Sequence, residues 1–151
     1  MNDLRTEHLE REAHVWAEFE SAVDRIPRER WGQAGVLPEW EVSALLGHVT
    51  GWLDDASRHL EAMRDGTFEE EPEDGEDDTD DRNDHFAAAA REMDHDAVWA
   101  TLVASREIVR QRLSELPDVT DRAIEEFASE TYQHYREHIA DLERFAAAIE
   151  G

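Results

Sequence analysis

A chain of 151 residues with 40% apolar side chains and five Trp has enough material for one folded domain with a real core. Its formal net charge of −24 repels nucleic-acid phosphate and anionic membrane surfaces, so neither is an expected partner. It contains no Cys, which excludes disulfides, thiolate nucleophiles and Cys-based zinc sites.

All 15 basic residues are Arg. An acidic, Lys-free surface suits a salt-rich cytoplasm, but high-GC coding produces the same bias, and both readings stay open. The start, MNDLRTEHLEREAH, lacks the basic and apolar segments of a signal peptide, and no apolar run is long enough to span a bilayer. The expected location is cytoplasmic. Gly and Pro are sparse, and Ala, Leu and Glu outweigh Val and Ile, which favours helices over strands.

The first predicted helix runs from about Asp3 to Ile26, with Trp16, Phe19, Val23 and Ile26 along one face. Pro27 should end it. His8 and His14 fall about 120° out of register on this helix and read as boundary histidines rather than co-ligands. Arg28 to Pro38 reads as a loop. A second helix from near Glu39 to about Arg64 carries the strongest stripe: Val42, Leu45, Leu46, Val49, Trp52, Leu53, Ala56, Leu60 and Met63. Gly66 is its stop signal. His48 projects about 100° from the centre of that stripe, one turn before Trp52, where it can face a crevice between helices.

Residues 69–81, EEEPEDGEDDTDD, hold ten carboxylates and no base, and read as a mobile acidic loop. The stretch lacks the Gly and terminal Glu that a calcium loop needs at fixed spacing. A short helix is predicted over Asp84–Met93. A third long one starts at Asp94 or Asp96 as N-cap and runs to Leu116, with Val98, Leu102, Ser105, Val109 and Leu113 inward. Residues 117–126 read as a connection, and a fourth long helix covers Phe127 to Ile149. Four amphipathic helices without a strand signal predict one all-α domain over 1–151. Its expected form is a four-helix bundle with a short extra helix and an acidic loop between helices two and three.

The stretch Thr131-Tyr-Gln-His134-Tyr-Arg-Glu-His138 sets two histidines four residues apart on one helix face. Two imidazoles in that register can share a metal ion. They can equally be core histidines bonded to backbone or Tyr groups, and spacing alone does not choose. Glu92-Met-Asp-His95 is a single Glu-x-x-His, whereas a di-iron bundle needs two, and it falls in the break before helix three. His-Glu-x-x-His, P-loop, Gly-x-Gly-x-x-Gly and Gly-x-Ser-x-Gly patterns are absent, and no catalytic triad is grouped by the sequence.

Three segments together resemble the DinB-like four-helix-bundle superfamily, which includes mycothiol-dependent maleylpyruvate isomerase N-terminal domains and a ClbS/DfsB-like branch. They are the segment Leu37 to Trp52 ending in His48-Val-Thr-Gly-Trp52, the tripeptide Arg82-Asn83-Asp84, and the TYQHYREH motif. The resemblance, closest to the ClbS/DfsB-like branch, implies an up-down-down-up bundle and a divalent metal held by His48, His134 and His138. Zinc or nickel suits that ligand set best, and iron or manganese is compatible. Trp52 and Thr131 would line the pocket, with Tyr135 a core aromatic. The resemblance further implies pairing into a homodimer. Nothing in the chain resembles the separate C-terminal domain of some thiol-dependent isomerases, so that specific activity is not expected to transfer. The acidic stretch would disfavour anionic substrates.

Two functions follow from these expectations. One is a metal-dependent enzyme acting on a small electrophilic molecule, by hydrolysis or by transfer of an external low-molecular-weight thiol, in detoxification. The other is a non-enzymatic bundle that sequesters a metal or a small molecule. A third and plainer option is a structural dimer with relic histidines. No general acid or base stands out; Asp141 and Glu137 lie near in register and read as solvated.

Overall fold

The computed structural model describes residues 3–70 and 76–150. Helix α1 spans Leu4–Asp24, capped by Asp3, whose carboxylate accepts from the Arg5 amide. A single 3₁₀ turn at Arg28–Arg30 leads to β1 (Ala34–Leu37) and β2 (Trp40–Glu41). Then come α2 (Val42–Asp65), α3 (Glu76–Arg91), α4 (His95–Glu115), α5 (Asp121–Glu130) and α6 (Tyr132–Glu150). The chain is an all-α helical bundle, and the expected long helices correspond to α1, α2, α4 and the pair α5–α6.

Helix α2 is the centre of the packing, against α3, α4 and α5. Leu45, Leu46, Val49, Leu53, Ala56 and Leu60 on its inner face are all fully buried. They meet Leu102, Val109 and Leu113 of α4 and Phe127 of α5 in one continuous core. Truncating any one of these leucines to Ala would cost about 2–5 kcal/mol. Helix α2 ends at Gly66, whose φ of 76° is the left-handed stop expected of a glycine there. Asp94 is the cap of α4, accepting from the Ala97 amide at 2.9 Å.

Beyond the start of α5 at Asp121, inside the expected connection over 117–126, four features depart from the sequence-based expectation. Residues 34–41 were expected to be loop and helix start, but form a short antiparallel hairpin with Ala34 opposite Glu41 and Leu37 opposite Trp40. Strands of four and two residues are too short to show alternation. This hairpin delays the start of α2 to Val42. Of the expected acidic loop, residues 71–75 lie outside the described residues, while 76–81 open α3. Acidic sequence in the first turns of a helix is favoured by the helix dipole, which offsets its mutual repulsion. Glu70, at the near end of that stretch, is paired with Arg122 of α5 at 2.5 Å.

The fourth departure is a break in the last helix at Thr131 (φ −108°, ψ −102°). Its hydroxyl donates to the Phe127 carbonyl at 2.7 Å, and its amide reaches the same oxygen at 3.0 Å. A threonine hydroxyl that bonds back to the i−4 carbonyl competes with the helical ladder. The Tyr135 amide then bonds to the Thr131 carbonyl and the helix resumes as α6.

A charged group sits in the core of α1. Glu12 is fully buried and accepts from Arg106 at 2.8 Å through two nitrogens, from Arg110 at 2.8 Å and from the Tyr135 hydroxyl at 2.8 Å. One carboxylate so tied joins α1, α4 and α6, and its bonds satisfy what would otherwise be a costly buried charge. Tyr135 is the core aromatic expected, and its position beside His134 in sequence fixes the rotation of α6.

Candidate metal centre

His48 comes from α2, and His134 and His138 from α6. The His48 Nε2 lies 2.9 Å from the His134 Nε2, and the His138 Nε2 lies 3.2 Å from it. Among the described residues these three are the group of His, Asp and Glu side chains close enough to hold one ion, with all ligand atoms within 4.8 Å of one another. His48 and His134 are buried, and the His138 side chain is 12% exposed.

The outer nitrogens of two rings have acceptors. The Nδ1 of His48 faces Asn83 Oδ1 at 3.1 Å, and the Nδ1 of His138 faces Asp141 Oδ2 at 3.3 Å. Each ring therefore carries its proton on Nδ1 and turns a bare lone pair towards His134. A proton on the His134 Nε2 could bond to only one of them. The other close contact would then have no hydrogen to bridge it. A cation at the meeting point would accept all three lone pairs and leave the remaining His134 proton on Nδ1. That atom is buried and has no hydrogen-bond partner among the described residues. The donor set, with a carbonyl and a carboxylate behind two of its imidazoles, fits a transition-metal ion.

Electrostatics keep the cluster available as ligands. Burial, reinforced by His138, lowers the His48 pKa to about 4. Burial, with His48 and His138 beside it, lowers that of His134 to about 3. Both rings are neutral at neutral pH, as ligation requires.

Helix α3 reaches this centre because α2 has no side chain in its way. A Cβ on Gly47 would sit 2.4 Å from the Ala90 Cβ, and one on Gly51 would sit 2.3 Å from the Phe86 ring. Two glycines one turn apart thus let α3 lie against the α2 backbone. That close approach brings Asn83 to His48. The same Asn83 oxygen accepts from Trp52 Nε1 at 2.6 Å, and Arg82 lies over the Trp52 ring at 4.6 Å while pairing with Asp55 at 2.6 Å.

Trp52, predicted as a pocket-lining residue, is half-buried and occupied by these α3 contacts. Thr131, also predicted there, has no exposed surface and spends its hydroxyl on the Phe127 carbonyl. Asp141, expected to be solvated, is instead the partner of His138, and a carboxylate three residues after a histidine was the available signal. Trp40 was missed as part of this centre: its ring lies 4.9 Å from that of His48. The other histidines are elsewhere. His8 meets the Tyr132 hydroxyl at 3.1 Å, His95 the Arg28 carbonyl at 2.8 Å, and His14 pairs with Glu18 at the surface.

Two cavities border α3. One of about 490 Å³ opens between the hairpin and α3, with Trp40 and Asn83 in its wall. Another of about 370 Å³ lies between α2, α3 and α4, lined by Gly47, Phe86, Met93 and Val98 among others, and none of the three ligand candidates lines either cavity. No helix among the described residues is long and apolar enough to cross a membrane.

Residues 13–131 match the family described as the mycothiol maleylpyruvate isomerase N-terminal domain, and the chain belongs to that family, within the DinB-like superfamily. The matched span contains His48 and Asn83 and stops three residues before His134. Comparison with curated proteins and with solved structures gives no match.

Proposed function

We propose that this protein is a metal-dependent enzyme that holds a divalent ion on His48, His134 and His138 and acts on a small electrophilic molecule. The observation that supports it is the convergence of three Nε2 atoms, two of them with their protons held at the far side of the ring. Such an ion would supply Lewis acidity that makes a bound water or thiol a better nucleophile at neutral pH. The residues of the chain do the rest. Asn83 and Asp141 keep two imidazoles in the ligating tautomer. Trp40 covers one side of His48 and limits water there.

Family membership favours thiol transfer over hydrolysis, since the family's name ties it to a mycothiol-dependent isomerase, and the chain has no Cys of its own. The test is turnover of a small Michael acceptor by metal-loaded protein, followed by mass spectrometry with and without a low-molecular-weight thiol. Metal-dependent formation of the thiol adduct, lost in His134→Ala, is the expected result. Stoichiometric metal without turnover in either arm would contradict an enzymatic role and favour sequestration.

A further inference from the structure

We infer that Glu130 is the outer partner of His134: with an ion on the three Nε2 atoms, its carboxyl accepts the His134 Nδ1 proton, directly or across one water. This rests on the reading of His48, His134 and His138 as a metal site, and adds a residue that positions one of its ligands. Asn83 stands behind His48 and Asp141 behind His138, at 3.1 and 3.3 Å. His134 has no such group, although it is only 8% exposed. A ligated imidazole almost always donates its remaining N–H. Four buried side-chain atoms lack a hydrogen-bond partner among the described residues, and two of them are the His134 Nδ1 and the Glu130 Oε2.

The two groups belong to one polar seam. Glu126, Glu130, His134 and His138 recur every four residues along α5 and α6, opposite His48, Asp55 and His59 of α2. The break at Thr131 falls inside this series, and contacts on both sides of it fix the register. Glu126 Oε2 lies 3.0 Å from His59 Nδ1, and His134 Nε2 lies 2.9 Å from His48 Nε2. Glu130 occupies the step between them, where Asp55 and Glu126 act on its carboxyl through space. The nearby guanidinium groups are committed: Arg82 to Asp55 at 2.6 Å, and Arg122 to Glu126 at 3.1 Å and to Glu70. Helical side chains lean towards the N-terminus, which carries the His134 ring back over the turn that holds Glu130. A carboxyl group keeps an accepting oxygen in either protonation state, so the contact needs no change of charge.

Cobalt-loaded protein provides the test, without reference to turnover. A paramagnetic ion moves the N–H protons of its imidazole ligands out of the ordinary proton NMR spectrum, and their exchange with solvent reports how well each is bonded. Wild type should show three such signals. At saturating cobalt, Asn83→Leu, Asp141→Leu and Glu130→Leu should each speed the exchange of a different one by about tenfold or more, with the other two within about twofold. Cobalt affinity should fall by about 10–100-fold in Glu130→Leu. Glu130→Gln keeps an accepting oxygen and should hold the third signal within about threefold of wild type. Glu130→Ala replaces the leucine variant if that one does not fold. A glutamate with a structural role alone would disturb all three signals together, or none. Either result, or exchange in Glu130→Gln as fast as in Glu130→Leu, would overturn the inference while leaving the metal site standing. Failure of wild type to bind cobalt would overturn the metal site itself, and this inference with it.

Discussion

The Nδ1 of His48 and the Oδ1 of Asn83 face each other at 3.1 Å, and this contact decides which His48 nitrogen is free. An amide oxygen can only accept, so the proton stays on Nδ1 and Nε2 is left bare towards His134. Asn83→Leu keeps the size of the side chain and removes the acceptor. Metal affinity should fall by about 10–100-fold with the helical content unchanged. Competition against a chromophoric chelator measures the first, and circular dichroism the second.

The reach of Asn83 depends on glycines. Gly51→Ala would drive a methyl group into the Phe86 ring, which stands 2.3 Å from the Cβ position. The variant should lose about 1–3 kcal/mol in urea denaturation as α3 is pushed out. Its metal affinity should fall in parallel, because Asn83 moves with the helix. Loss of stability with unchanged metal affinity would separate the two effects and contradict the link drawn between them.

Glu12 is the electrostatic joint of α1, α4 and α6. Glu12→Ala leaves two guanidinium groups and a tyrosine hydroxyl without their buried partner. A loss of about 3–5 kcal/mol is expected. Equilibrium unfolding monitored by Trp fluorescence checks it, and a change under about 1 kcal/mol would show that water or relaxation satisfies the arginines instead.

Glu130, largely buried, has a carboxyl oxygen with no partner among the described residues. Burial, with Glu126 and Asp55 close by, raises its pKa to about 8, against an ordinary 4.5. Because the folded pKa is the higher one, its contribution to stability is complete below about pH 4.5 and is lost as pH rises through about 8. Below about pH 6.5 the unfolded His48 and His134 take up protons that the folded rings exclude, so the urea midpoint of metal-free protein should decline only between about pH 6.5 and 8, and Glu130→Gln should flatten that decline. Parallel slopes for the two proteins would show that other groups cause it.

Much of this was legible in the sequence, and the rest was hidden for physical reasons. The stripe of α4 and that of α2 apart from Trp52 and Met63 are buried as read, because helical period is a local property. The pairing of His134 with His138 was readable for the same reason, while His48 needed the family resemblance to join them. Glu12 was not singled out in the sequence, since its partners Arg106 and Arg110 are 94 and 98 residues away. Asn83 could be quoted as part of a motif but not given a role, because its place depends on how closely α3 packs on Gly47 and Gly51. The Thr131 break left the apolar pattern intact on both sides, so periodicity ran straight through it.

Metal content of untagged protein, by inductively coupled plasma mass spectrometry after reloading and desalting, tests the central claim most directly. About one equivalent of a transition metal in wild type, and loss of that equivalent in His48→Ala, His134→Ala and His138→Ala alike, is the result expected. Protein that retains no stoichiometric metal, or a His134→Ala variant that retains as much as wild type, would contradict it.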